Sequence, residues 1–572
     1  MTAAVLSLLV PLGAACALAG LAPFTHRRAG WTPALVMVAA AVLSAVALGR
    51  TAPRLDFVFG GWGPRVGVAF AIDGIGGGLA LFVAVLGVAA LAVAAGSIAA
   101  ESLAFDALML VFIGAMIGFC LTGDLFNLFV FFELMSVSAY VLVGYEVRRR
   151  AALEGALTFA VTNSVGSILL LVGIALLYGH TGALNLAQMG RTIGHADTLV
   201  EVAFALIACG LLVKAAVVPF HLWTADAYAV AATPVCILLA GAFSELGLYG
   251  LARVYWTVFH GALPAEEVRA VLLAAGVLTA ALGAVMAAVQ HHLKRMLAFA
   301  TIAHVGLFLA GLGLLSAEGV AGTAIWVVAD GLVKAGLFAC VAILHHRFGV
   351  VEVADLHGRG RGMRVVGVTF VLGALAVAVL PLTGKAAVEE AAGSVWLPVA
   401  MVLVTGVVAG TLLRAAGRIF WGLGKPPPHD PAGDEPADED VREGEGGIGL
   451  LRALAGALVL GGIAWGFVPG LRGAAGRAAA AFTDQRGYAA AMLDRHAPPG
   501  PHVLIAPPGA TAYLYACASL GLALAVAAVG LWGGLRVPAP VEALRRLHNG
   551  RPGDYVTWTV LGAAVLVGVF AL

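Results

Sequence analysis

Charge is scarce in this chain. Only 11% of its 572 residues are Asp, Glu, Lys or Arg, against about 25% in soluble domains. With 61% hydrophobic residues and a mean hydropathy of +0.99, that shortage excludes a soluble globular fold. Cysteine is scarce too. The six present (Cys16, Cys120, Cys209, Cys236, Cys340 and Cys517) form no CxxC pair and all fall in apolar runs. They read as small core residues, not as disulfides or metal ligands. A net charge of +1 leaves no basic surface for a polyanion, so no nucleic-acid partner is expected. No basic stretch precedes the first apolar run; His26, Arg27 and Arg28 come after it. That order argues against a cleaved signal peptide and predicts an outward N-terminus.

What the chain has instead is apolar runs of ~20 residues, each long enough to cross a bilayer. About 16 recur, from one near 3–24 to one near 555–572. They are continuous rather than alternating, which predicts helices and not a β-barrel. The loops after odd-numbered runs hold clustered basic residues: Arg27 and Arg28, Arg148 to Arg150, Lys294 and Arg295, Arg347 to Arg364, Arg414 to Lys425, and Arg536 to Arg551. By the positive-inside rule these loops are cytoplasmic and both termini face outward, as expected of a multi-pass protein of the cell's inner (plasma) membrane. The stretch "KPPPHDPAGDEPADEDVREGEGG" (425–447) is Pro-rich and acidic and reads as a disordered cytoplasmic linker. Residues 471–510 form an outer segment whose first half is either a short amphipathic helix on the membrane surface or a plain loop.

The basic residues are sorted by type. Of 33 Lys and Arg, five are lysines, and Lys214, Lys334 and Lys385 lie in or at the break of apolar runs. A GC-rich genome explains part of the arginine excess, which makes the retained lysines more informative. Arginine keeps its proton in a protein, whereas a desolvated lysine can release one. Glu133 sits mid-run in "GDLFNLFVFFELMSVSAYVLVGYE", Glu245 in "PVCILLAGAFSELGLYGLARV" and His304 in "LAFATIAHVGLFLAG". Asp330 stands one turn before Lys334, so the two share a helix face. Ionisable groups at such depth mark ion or proton pathways, the bland alternative being a Lys–Glu pair that merely locks helices. Pro219, five residues after Lys214, and Pro381, four before Lys385, are predicted to break their helices, as in ion-coupled transporters. The two breaks lie five runs apart, which hints at two five-helix repeats. "GRGRG" and "DGIGGG" follow no strand and read as turns. His221 in "PFHLW" is either a packed helix tip or part of a proton path. No haem, metal, cofactor or nucleophile arrangement is seen.

Five segments carry a family resemblance: "LTGDLFNLFVFFELMSVSAYVLVGYE", "LLVKAAVVPFHLWTADAYAVAATPVCILLAG", "LKRMLAFATIAHVGLFLAGLG", "LVKAGLFACVAIL" and "GKAAVEEAA". In order and wording they resemble the proton-conducting membrane transporters: antiporter-like subunits of respiratory complex I, large subunits of Mrp-type Na+/H+ antiporters, and membrane subunits of energy-converting hydrogenases. "GDLFNLFVFFE" is most similar to the D-type large component of Mrp antiporters. The resemblance covers about residues 55–420. It implies an all-α polytopic fold of about 14 core helices, with two inverted five-helix repeats and broken seventh and twelfth helices. It implies that Glu133 pairs with Lys214, that Lys334 is the eleventh-helix lysine and that Lys385 is the twelfth-helix exit residue. Three departures stand out. Glu245 replaces a usual lysine or histidine, Asp330 replaces a usual histidine, and the segment from "LP" to "GK" is about one helical turn short. Glu245 is therefore a candidate partner for Lys214 or Lys385.

The expected organisation is N-terminal helices in 1–100, repeats in 101–258 and 259–420, a linker in 421–448, and C-terminal helices in 449–572 with an outer loop at 471–510. About two helices extend beyond the fourteenth and are assigned to docking a partner protein of the same complex. The expected function is proton translocation along Glu133, Lys214, Glu245, His304, Asp330, Lys334 and Lys385. It would operate within a multi-subunit complex that is complex I-like, an NADH-quinone oxidoreductase, or of the Mrp type. Expected partners are other membrane subunits, the lipid bilayer, and H+, with Na+ as a second candidate ion. The chain holds no redox centre of its own. The competing expectations are a non-conducting scaffold subunit and a stand-alone ion-coupled solute carrier.

Overall fold

The computed structural model describes residues 2–24, 30–48, 54–96, 102–379, 384–425, 448–495, 503, 505–533 and 538–571. The acidic stretch 426–447 and Pro381 lie outside the described residues. The chain is an all-α polytopic membrane protein. Fourteen of the described helices are long and apolar enough to span a bilayer, and Thr32–Leu48 and Arg364–Ala378 are shorter apolar helices. Helix is the economical answer to such a sequence, because each backbone N–H finds its acceptor within its own segment when lipid offers none.

The chain opens with α1 (Ala3–Leu21) and α2 (Thr32–Leu48). A small antiparallel pair, β1 (Arg54–Val58) and β2 (Ala69–Ile72), leads into α3 (Gly74–Gly96). Then come α4 (Leu103–Leu121), α5 (Leu125–Val143), α6 (Arg150–Thr181) and the short α7 (Leu186–Thr192). A helix broken in the middle follows as α8 (Thr198–Ala215) and α9 (Leu222–Val230). Next, α10 (Thr233–Leu238) runs through a π-helical turn into α11 (Ser244–Val254). After α12 (Ala265–Ala288), α13 (Leu293–Leu312) and α14 (Ala317–Phe348), a second broken helix is formed by α15 (Arg364–Val379) and α16 (Lys385–Ala391). The remainder is α17 (Trp396–Ala416), α18 (Ile448–Trp465), α19 (Leu471–Thr483), α20 (Gln485–Leu493), α21 (Ala510–Trp532), α22 (Ala539–Leu547) and α23 (Pro552–Ala571).

Short polar residues start several of these helices. Asp124 accepts from the N–H of Asn127 at 2.8 Å, Asp197 from Val200 at 2.9 Å, and Ser316 from Gly319 at 3.1 Å, each satisfying a donor that the first turn leaves free. Small residues then set how closely helices approach. Along the α12–α13 seam, a Cβ on Gly283 or Gly306 would strike the backbone of the facing helix, the close packing that glycine permits between membrane helices.

The most enclosed elements are α10–α11, α13 and α14, and they carry Glu245, His304, Asp330 and Lys334. The C-terminal helices do not stand apart. α21 packs along α17, and α23 packs on α6 and α8. The segment after α18 is helical rather than a plain loop. Residues 471–493 form the helix pair α19–α20, whose Ala479, Phe482, Tyr488 and Met492 are buried, with α19 against α14 and α3. The buried side of the amphipathic pattern there packs on protein.

Candidate functional site

The first broken helix places Lys214. Ala216 turns the chain left-handed (φ 58°), Pro219 supplies no N–H, and α9 resumes at Leu222. The polar groups freed by the break find partners. The N–H of Val218 donates to Thr279 Oγ1 at 3.0 Å, and the Trp223 indole donates to the Val213 carbonyl at 3.1 Å. Lys214 thus sits in the last turn of α8, where the helix dipole favours a cation. It is fully enclosed. Its Nζ donates to Ser136 Oγ and, at 3.4 Å, to the Phe132 carbonyl, and it lies 3.9 Å and 4.4 Å from the ring centroids of Phe132 and Phe243. Such cation–π contacts strengthen when water is excluded. Glu133 stands beside Phe132 on α5 and acts on Lys214 through space. Among the described residues it makes no direct ion pair, and its Oε1 is enclosed without a hydrogen bond.

The second cluster joins three helices. Lys334 of α14 lies 2.5 Å from Asp330 Oδ2 and 3.9 Å from Glu245 Oε1 of α11. Asp330 Oδ1 lies 2.5 Å from Nδ1 of His304 on α13. Glu245 therefore faces Lys334, not Lys214 or Lys385 as its sequence position had suggested. The reason is packing: α11 passes beside α13, and α14 meets the π-helical turn just before Glu245. That same turn contributes Phe243 to the first cluster, so one short segment touches both lysine sites.

The third cluster forms where α16 begins. Lys385 follows Gly384, which is left-handed (φ 92°), and its Nζ lies 3.8 Å from Glu389 one turn on. The Nζ also donates to Thr405 Oγ1 of α17 at 3.2 Å and to Ser519 Oγ of α21 at 3.3 Å. Among the described residues no hydrogen bond or ion pair joins His304 to Lys385, so the second and third clusters are neighbours without a direct contact. All seven residues singled out in the sequence thus lie in or beside three charged clusters inside the helical body.

Several participants escaped the sequence reading. Ser136, three residues after Glu133, and Glu389, four after Lys385, lie at helical spacing from residues already singled out, so that spacing was a usable signal. Thr405 and Ser519 had none, because they arrive from distant helices. Asp73 and Arg253 form a buried ion pair that was also missed, at the end of the molecule covered by α19–α20. At the α8–α9 break, Nε2 of the buried His221 lies 3.2 Å from Nε2 of His548, between α22 and α23. Beside it, Asp226 accepts from Tyr555 Oη at 2.8 Å and lies 3.7 Å from Arg295.

Lysines held by carboxylates and hydroxyls along enclosed membrane helices, two of which are broken, define an antiporter-like membrane subunit. The chain belongs to the family described as NADH:quinone oxidoreductase/Mrp antiporter, TM, whose pattern matches residues 122–414. It is 33% identical over 370 residues to NADH-quinone oxidoreductase subunit N of Desulforudis audaxviator, covering 63% of this chain and 73% of that protein. With subunit N of Rhodococcus opacus it shares 34% identity over 330 residues, 55% of this chain and 60% of that protein. Among solved structures, a chain of the membrane-bound sulfane sulfur reductase, an archaeal respiratory complex, superposes with TM-score 0.75 at 25% identity, covering 86% of this chain and 99% of that one. A chain of the Mrp complex from Dietzia sp. superposes with TM-score 0.73 at 26% identity, covering 86% and 100%. Respiratory complex I from Thermus thermophilus shares the fold, with TM-score 0.63 at 23% identity and coverage of 81% and 97%.

Proposed function

We propose that this chain is a proton-translocating subunit of a multi-subunit complex in the bacterial plasma membrane. Its two five-helix repeats would be 101–258 and 259–420, and both termini would face outward, as the distribution of basic residues requires. The observation that carries the reading is the cluster of His304, Asp330, Lys334 and Glu245. With His304 neutral, its two carboxylates and one ammonium leave one net negative charge in an enclosed site, and one added proton balances it. Such a set is neutralised by the proton it accepts and, on passing it on, returns to a single negative charge shared between two carboxylates beside an ammonium and an imidazole.

Lys214 is the entry side of this relay and Lys385 the exit side. Glu133 biases Lys214 through space, so any rearrangement that moves this carboxylate changes how tightly the lysine holds its proton. One pKa unit corresponds to about 1.4 kcal/mol and a charge crossing 100 mV to about 2.3 kcal/mol. Shifts of a few units at each station match the work required. The driving force comes from partner subunits or an ion gradient. The similarity to subunit N proteins and to a chain of an Mrp complex supports this class of assembly.

The test is Glu133→Gln and Lys214→Ala in the assembled complex, with proton and Na+ transport measured in vesicles. Loss of driven transport in both is expected, and undiminished transport in both overturns the reading. Wild-type behaviour after neutralising Lys214 and Lys385 together would instead mark a scaffold subunit.

A further inference from the structure

Glu245 uses only one direction of its surroundings for Lys334. Both its carboxylate oxygens are buried without a hydrogen bond, and they line a pocket with Tyr249, Phe308, Thr323, Val327 and Phe482. Thr323 Oγ1 is likewise buried without a partner. The pocket has room for water, and it offers two polar groups that need it. Its wall toward the α19–α20 end of the molecule is aromatic.

Phe482 of α19 touches both sides of that wall. It lines the pocket, and its ring centroid lies 4.2 Å from the guanidinium carbon of Arg253. Arg253 is paired with Asp73, whose Oδ1 accepts from the N–H groups of Ile75 and Gly76 at 3.0 and 2.8 Å. Arg253 Nε also donates to Tyr249 Oη at 3.3 Å, and Tyr249 in turn donates to the Cys120 carbonyl at 2.7 Å. Beyond Phe482, Arg253 Nη1 and Tyr488 Oη are again buried without partners. Unpartnered polar atoms therefore stand on both sides of one phenyl ring, and a permanently charged guanidinium, balanced by Asp73, lies behind it.

The helix pair that carries Phe482 is lightly fastened at its far end. Arg191 bonds Asp494 at an exposed position, and Gln485 Nε2 donates to the Thr257 carbonyl at 3.2 Å. The pair packs inward through Ala479, Phe482, Tyr488 and Met492, these polar contacts tie its outer edge, and of its buried rings Phe482 is the one that lines the Glu245 pocket.

We propose that α19–α20 is the gate of a second, outward branch of the proton route, which leaves the axis at Glu245, with Phe482 as its plug and the Arg253–Asp73 pair as the charged barrier behind it. This rests on the proton-translocation reading and on its orientation, and adds an exit distinct from Lys385. Protons are the ligand class: the pocket is lined almost wholly by apolar side chains, and the groups it offers are the Glu245 carboxylate, which already faces Lys334, and the Thr323 hydroxyl.

The experiment uses the assembled complex in liposomes under an imposed pH gradient, without an energy source. Phe482→Ala is expected to raise passive proton influx severalfold, and Phe482→Ala combined with Glu245→Gln to return it to the wild-type level. No rise, or a rise that persists without the Glu245 carboxylate, overturns the proposal. Should Phe482→Ala fail to assemble, Phe482→Cys is used with the exposed Cys16 and Cys517 replaced by serine. Labelling by a membrane-impermeant thiol reagent during turnover but not at rest is expected, and labelling that is absent or independent of turnover overturns the gate. Loss of driven transport in Lys214→Ala without a leak in Phe482→Ala removes the gate and leaves the translocation reading standing. A leak blocked by Glu245→Gln alongside undiminished transport in Lys214→Ala does the reverse.

Discussion

Lys214 gives its donors to a serine hydroxyl, a carbonyl and two aromatic rings, whereas Lys334 shares two carboxylates. The difference predicts different phenotypes. Ser136→Ala removes a neutral acceptor from a buried ammonium, a contact worth about 1.5–3 kcal/mol. Driven proton transport should fall roughly tenfold while the complex still assembles, as a vesicle transport assay alongside a size-exclusion profile would show. Lys334→Met strands Asp330 and Glu245 as buried carboxylates with one neighbouring imidazole, and removing one partner of a buried charge pair costs about 3–5 kcal/mol. Its thermal midpoint in detergent should drop clearly, and adding Asp330→Asn should recover part of the loss. At this scale the sequence was informative wherever helical spacing did the work, as for Asp330 with Lys334. It was silent on Ser519, which reaches Lys385 only because α21 lies along α17.

At the scale of the element, the broken helices decide where charge can sit. Ala216 occupies the left-handed region with a Cβ, which costs roughly 1–2 kcal/mol relative to glycine. Ala216→Gly should therefore stabilise the fold by part of that amount, read as a higher thermal midpoint in a detergent melt. The segment from α22 to α23 closes over the same break through His548. Burial pushes the His548 imidazole below its ordinary value of 6.5. The Leu544 carbonyl and Asp226 oppose that shift, and Arg295 adds to it. His221 faces it from the α8–α9 break. Because the folded state binds this proton less readily than the unfolded chain, His548 adds stability that is fully present above about pH 6.5 and is lost as the pH falls below it. The thermal midpoint should decline on acidification through that window, and His548→Gln should flatten its share of the decline. Pro219 and Lys214 before it marked the first break in the sequence. The docking of α22–α23 over it was not legible, since nothing local to "RRLHNG" names a partner more than three hundred residues away.

Across the whole molecule, two ion pairs at the α19–α20 end show how position sets energy. Arg191–Asp494 is exposed and Arg253–Asp73 is buried. Exposed pairs contribute about 0–1 kcal/mol, so Asp494→Asn should leave the melt nearly unchanged. Breaking a buried pair costs about 3–5 kcal/mol, so Asp73→Asn should lower the midpoint substantially. The contrast also distinguishes a fastening that can open from one that holds the helices together.

The sequence by itself determined that the chain spans a membrane as helices, because a charge-poor chain of long apolar runs has no other way to satisfy its backbone in lipid. It also determined which residues are costly enough at depth to signal a task, among them Glu133, Lys214 and Lys334. Tertiary structure alone decided the pairing. Glu245 meets Lys334 and not Lys214, Glu133 acts at a distance, Lys385 borrows a hydroxyl from α21, and residues 471–493 turn inward to cover Arg253. The physical reason is range. Hydropathy and helical spacing are local properties of a dozen or so residues, whereas a buried charge is compensated by whichever side chain the packing of distant helices brings within a few ångströms.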